Sequence, residues 1–215
     1  MTIERIIYSV FHEHGNVNRA ISLISSQITA KNKVGLEVSE AELRLYDQIN
    51  GRGLSPQDAE KELLNAIIEK YNYEYSGNEH ELPQPLSAAI FWSNLYNDLK
   101  KSGAEIRGLG SEKRIRWLNA CVHERFKYTR DRSPDEAMRY YLILSPHFDN
   151  LLIQRIVENC FDRVIIGAGH AAKVAEKTGS NLVVLDGLPA DLKKRNDDLG
   201  EEYQSGKYTL PDLRD

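Results

Sequence analysis

The stretch RVIIGAGHAAKVAEKTGSNLVVLD, Arg163–Asp186, decides the fold. It begins with an apolar, β-branched run (Arg163–Ile166) and turns on two glycines. It continues as a helix over Ala171–Lys177 and closes on a second apolar run, Leu182–Leu185. Strand, helix and strand joined by short links form a βαβ unit with parallel strands. The same grammar appears at the other end of the chain. RIIYSVF (Arg5–Phe11) is an apolar run rich in β-branched and aromatic residues and reads as a strand. Asn16 caps a helix with Val17, Ile21, Ile24 and Ile28 at helical spacing, and VGLEV (Val34–Val38) is the next strand. Ser39 and Glu42 have the spacing of a capping box for the helix after it. AEIRGLG (Ala104–Gly110) adds a strand that carries two glycines. The pattern predicts an α/β fold: a mostly parallel central sheet of about five strands flanked by helices.

The remaining segments read as helices and loops. Ser55-Pro56 is a cap followed by a proline at the first helical position, and residues 55–101 read as a helical insertion or cap. Ser133-Pro134 and Ser145-Pro146 each predict a helix start. Residues 1–215 read as one domain, with a polar C-terminal extension over 187–215. Between Glu112 and Arg132 seven Lys/Arg face three Asp/Glu, a basic helix that reads first as a solvated face and second as an anion contact.

Composition narrows the class. Hydrophobic residues make up 41% and charged residues 28%, as in ordinary globular proteins. A net charge of -4 gives no general attraction for nucleic acid or membrane, and neither is an expected partner. Cys121 and Cys160 share no metal or redox motif, and MTIERIIYSVF lacks the pattern of a signal peptide. The expected location is the cytoplasm.

Parallel sheets place functional groups at the carboxyl ends of their strands. His12 and His14 follow the first strand, Glu37 lies near the end of the second, and His170 follows the glycines of the fourth. Two imidazoles and a carboxylate converging there suit a divalent metal, and a His–Glu pair also serves as general acid and base. His12, His14, Glu37 and His170 are therefore the expected catalytic and metal-binding residues. Each has an ordinary structural reading as well: a turn residue, a lysine-paired carboxylate or a helix cap. The same stretch also fits G-x-G-x-x-A. Gly167 and Gly169 would then approach a dinucleotide pyrophosphate, and Asp186, 19 positions after Gly167, would hold a ribose. Against that reading, only 29 residues follow Asp186, whereas such a fingerprint usually opens its sheet.

The order of these motifs resembles the TraB/Tiki-like, ChaN-like and erythromycin-esterase-like superfamily. GAGH (Gly167–His170) matches the second of that group's two G-x-x-H motifs, and SVFHEHGN stands in place of the first. NKVGLEVSE, LYNDLKKSGAEIRGLGSE and DNLLIQRIVENCFDRVIIGAGHA resemble the segments around them. The resemblance implies a metal-dependent hydrolase, peptidase- or esterase-like, acting on a small molecule or peptide. It places Arg132, His147 and Asp149 as substrate contacts. The chain departs from the pattern in three places: Ser9 and Phe11 replace the first motif's glycine, the Asp that often follows the third strand is missing near Gly110, and HFDN (His147–Asn150) lacks an arginine. Those departures keep a non-catalytic relative open beside the hydrolase and the dinucleotide-binding module.

Overall fold

The computed structural model describes residues 4–11, 17–71, 84–110 and 134–185, together with residues 193, 194 and 198. Five strands are seen: β1 (Ile6–Val10), β2 (Lys33–Ser39), β3 (Glu105–Gly110), β4 (Arg163–Gly167) and β5 (Asn181–Val184). Six longer helices accompany them: α1 (Val17–Ser25), α2 (Glu40–Asn50), α3 (Pro56–Tyr71), α4 (Gln84–Lys101), α5 (Pro134–Glu158) and α6 (Ala168–Thr178). The strands form one parallel sheet in the order β3-β2-β4-β1-β5. The α/β fold expected from the sequence is present, with every expected strand in place to within one residue at each end.

Period-two alternation divides the strand residues between two cores. Tyr8, Val10, Leu36 and Ile165 join the core formed with α1 to α4. Ile7, Leu109, Val164 and Ile166 join the core formed with α5 and α6. The faces follow from the topology. The connections from β1 to β2 and from β2 to β3 run toward the β3 edge, and their helices cover the first face. Those from β3 to β4 and from β4 to β5 run the opposite way, over the second face. All four crossovers therefore share one hand, and crossovers between parallel strands are right-handed in about 98% of cases. Residues 55–101 belong to the β2–β3 connection. α4 is a full member of the first layer, with Leu86, Phe91, Leu95 and Leu99 completely buried.

Local signals account for the helix starts. The Ser39 hydroxyl accepts from Glu42 N–H, and the Glu42 carboxylate accepts from Ser39 N–H at 2.7 Å, a complete capping box on α2. Ser55 Oγ accepts from Asp58 N–H at 3.2 Å, so the expected start of α3 at Pro56 holds.

Two expectations need correction. Ser145-Pro146 does not open a helix, because α5 runs unbroken across it with Pro146 inside. An interior proline removes one helical hydrogen bond, and the buried Phe148, Leu152 and Ile156 hold the helix on the sheet despite that loss. α6 starts at Ala168 rather than Ala171, with Gly167 as an extended N-cap (φ -61°, ψ 146°). His170 therefore sits within the first turn of the helix, not ahead of it.

The glycines of IRGLG have a steric reason. β2 and β3 pair Leu36 with Gly108 and Ser39 with Gly110, so Glu37 and Val38 together oppose Leu109 in a β-bulge. A Cβ at Gly108 would lie 2.6 Å from the Val38 carbonyl oxygen and 2.7 Å from Glu40 N. One at Gly110 would lie 2.8 Å from Ser39 N. The obstructing atoms are backbone and cannot swing aside. Gly108→Ala is thus expected to lower stability in urea unfolding by about 1–3 kcal/mol. Gly169→Ala is the contrast, since a Cβ there meets nothing within 4 Å. It is expected to leave stability unchanged or raise it by up to about 1 kcal/mol. Equal losses in the two variants would contradict this account.

Candidate functional site

The crossovers leaving neighbouring β2 and β4 diverge, one over each face of the sheet. Open α/β sheets place their ligand sites outside the carboxyl ends of the strands at such a switch point. β2–β4 pairing ends at Leu36 and Ile165, and the bulge begins at the next residue, Glu37. Bulges re-aim side chains, and Glu37 reaches the end of β4, where its Oε2 accepts from Gly167 N–H at 2.5 Å. Its Oε1 lies 3.8 Å from His170 Nε2. The Glu37 side chain is 4% exposed and that of His170 1%.

On the other side of the imidazole, His170 Nδ1 lies 2.6 Å from Asp149 Oδ1. Asp149 comes from α5, which covers the same face of the sheet as α6. Its second oxygen, Oδ2, lies 2.8 Å from Lys173 Nζ, one turn beyond His170 on α6. The Asp149 side chain is 4% exposed and that of Lys173 45%. β2, α5 and α6 thus build the row Glu37–His170–Asp149–Lys173 from buried strand end to solvent. Burial pushes the Asp149 carboxyl upward, but the hydrogen bonds and charges of His170 and Lys173 outweigh it and hold the group below the usual range. An ionised carboxylate only accepts, so His170 Nδ1 carries the proton of that bond.

The structure brings Glu37 and His170 together at the end of β4, with Glu37 held on Gly167 N–H. Asp149, expected to touch substrate, is found on the far side of the His170 ring. His147 is half-buried two residues earlier on α5, about 200° around the helix from Asp149, so the two side chains leave it on different sides. His12, His14, Arg132 and Asp186 lie outside the described residues. β1 does neighbour β4, with Val10 paired to Gly167, as a site shared between their ends requires. Lys173 was missed. Its only sequence signal is the H-x-x-K spacing, which places it on the His170 side of the helix.

In the glycine turn, Gly167 N–H donates to the Glu37 carboxylate, and a Cβ built on Gly169 would meet nothing within 4 Å. Among the described residues no group of three or more His, Cys, Asp and Glu is arranged to hold a metal ion, and no helix is long and apolar enough to cross a membrane. No family model, curated protein or solved structure matches the chain.

The lowered Asp149 pKa has a direct consequence for stability. A carboxylate whose folded pKa is depressed stabilises fully above its unfolded pKa and loses that contribution as pH falls through the folded value. The stability difference between wild type and Asp149→Asn, from urea unfolding, is expected to be constant between about pH 5 and 7 and to shrink below about pH 4. A difference independent of pH would show that the ion pairing adds nothing.

Proposed function

We propose that the carboxyl end of this sheet is the site of a metal-dependent hydrolase, peptidase- or esterase-like, acting on a small molecule or peptide. The observation that carries the reading is the buried row Asp149–His170–Glu37 at the divergence of β2 and β4. A metal-binding histidine characteristically donates its other ring N–H to a carboxylate, and His170 has that arrangement with Asp149. The 3.8 Å between His170 Nε2 and Glu37 Oε1 is too long for a hydrogen bond. Two atoms 3.8 Å apart can share one cation at about 2.0–2.2 Å across a coordination angle of about 120–145°, so a tetrahedral ion would draw them a few tenths of an ångström closer.

His170 and Glu37 would hold the metal, with His12 or His14 completing the set from the end of β1. A divalent metal bound there supplies an activated water near neutral pH. Asp149 fixes the imidazole plane. Glu37, anchored through one oxygen on Gly167 N–H, presents the other toward His170 as ligand or base. Arg132 and His147 are the proposed substrate contacts.

A purely structural ion-pair cluster is the plain alternative, as is a relative that has lost activity. Placement at the topological switch point favours a working site over both. The dinucleotide-binding reading is weaker, because Glu37 puts a negative charge at Gly167 N–H, where a pyrophosphate would need donors.

Calorimetric titration of chelator-treated protein with Zn²⁺ or Mn²⁺ tests the proposal, paired with a panel of chromogenic esters and peptides. One ion per chain is expected. His170→Ala and Glu37→Gln should each weaken binding at least about tenfold while keeping a native circular dichroism spectrum. Unchanged metal stoichiometry and affinity in His170→Ala would sink the metal reading.

A further inference from the structure

Lys173 belongs to no motif in the sequence, yet it completes the buried row. Its Nζ lies 2.8 Å from Asp149 Oδ2, while Asp149 Oδ1 holds His170 Nδ1 at 2.6 Å. The carboxylate is therefore gripped at both oxygens, by one donor from the site and one donor from the surface. We infer that Lys173 is a positioning residue: it pins the Asp149 carboxylate so that His170 keeps its proton on Nδ1 and turns Nε2 toward Glu37.

A carboxylate held through one oxygen still pivots about that contact. The Asp149 side chain is 4% exposed, so water is a poor substitute for the lost lysine donor. Lys173 is itself 45% exposed, so its own removal leaves no cavity and places no new polar group in the core. An ordinary surface ion pair contributes little, whereas this one ends on a buried acceptor already committed to an imidazole. Lys173 and His170 are three residues apart on one helix, so α6 presents both donors to the same carboxylate of α5. The inference rests on the proposed role of His170, and its test also has a readout that needs no metal.

The experiment uses the full chain, ¹⁵N-labelled at histidine, as wild type, Lys173→Met and Lys173→Arg. Long-range ¹H–¹⁵N correlation at neutral pH reports the tautomer of His170, assigned by its loss in His170→Ala. The expected wild-type form is the Nδ1–H tautomer. Lys173→Arg should keep it, and Lys173→Met should give a mixture of tautomers while keeping a native circular dichroism spectrum. With Zn²⁺ as the probe, Lys173→Met should lose about tenfold or more in affinity and Lys173→Arg much less. A Lys173→Met protein with the wild-type tautomer would overturn the inference. If wild type binds no Zn²⁺, the metal reading fails on its own, and the tautomer comparison still decides the role of Lys173.

Discussion

The hydrogen bond from Gly167 N–H to the Glu37 carboxylate is the contact on which the site depends. Burying a carboxylate costs several kcal/mol unless donors meet it. The first turn of a helix is one of the few places where backbone donors are available. β2 and β4 have stopped pairing at that point, so the side chain takes over from the ladder and closes the gap between the two strands. The opposite end of the same strand pair is closed by the same means. There Asp162 accepts from Lys33 N–H at 2.6 Å and from the Asn32 amide at 2.6 Å. One central strand border is clamped by a carboxylate at each end. Among the described residues, only the clamp at the carboxyl end has a histidine beside it.

That clamp needs the bulge. In a regular strand Glu37 would continue the pairing begun by Leu36, and the bulge lets it lean toward β4 instead. The bulge in turn needs β3 to press against the turn into α2. Gly108 N–H donates to the Glu40 carboxylate at 2.8 Å, and Arg155 Nη1 donates to the Gly110 carbonyl at 3.2 Å. β3 is thus held between α2 on one face and α5 on the other, and α5 is also the helix that delivers Asp149. The two acidic groups flanking His170 are positioned through the same edge of the sheet.

The fold was legible in the sequence because its strands are short β-branched runs and its helices carry their own caps. Ser39 with Glu42, and Ser55 ahead of Pro56, act in three dimensions as their spacing implies. Strand order was not legible. β4 inserts between β1 and β2, and a crossover of given length reaches a next-but-one strand as readily as a neighbour. The site was half legible. Glu37 and His170 stand at strand ends and announce themselves by position. The pairing of Asp149 with His170 depends on how α5 crosses the sheet, and HFDN contains no local trace of it. Pro146 misled for a related reason: a serine–proline pair has the same spelling inside a helix as at its start, and only burial of the flanking apolar residues separates the two cases.

The glycines of GAGH bear on what this turn is for. Gly167 has dihedral angles that any residue adopts. Gly169 is exposed and sits in helical backbone with open space where a Cβ would be. Neither sterics nor the backbone demands glycine at 169, and glycine inside a helix costs about 0.5–1 kcal/mol relative to alanine. Folding alone gives no reason for it. Gly169 adjoins His170, whose side chain is 1% exposed and held between Asp149 and Glu37. What the turn contributes is carried by its backbone: the Gly167 N–H holds the glutamate that faces the His170 ring.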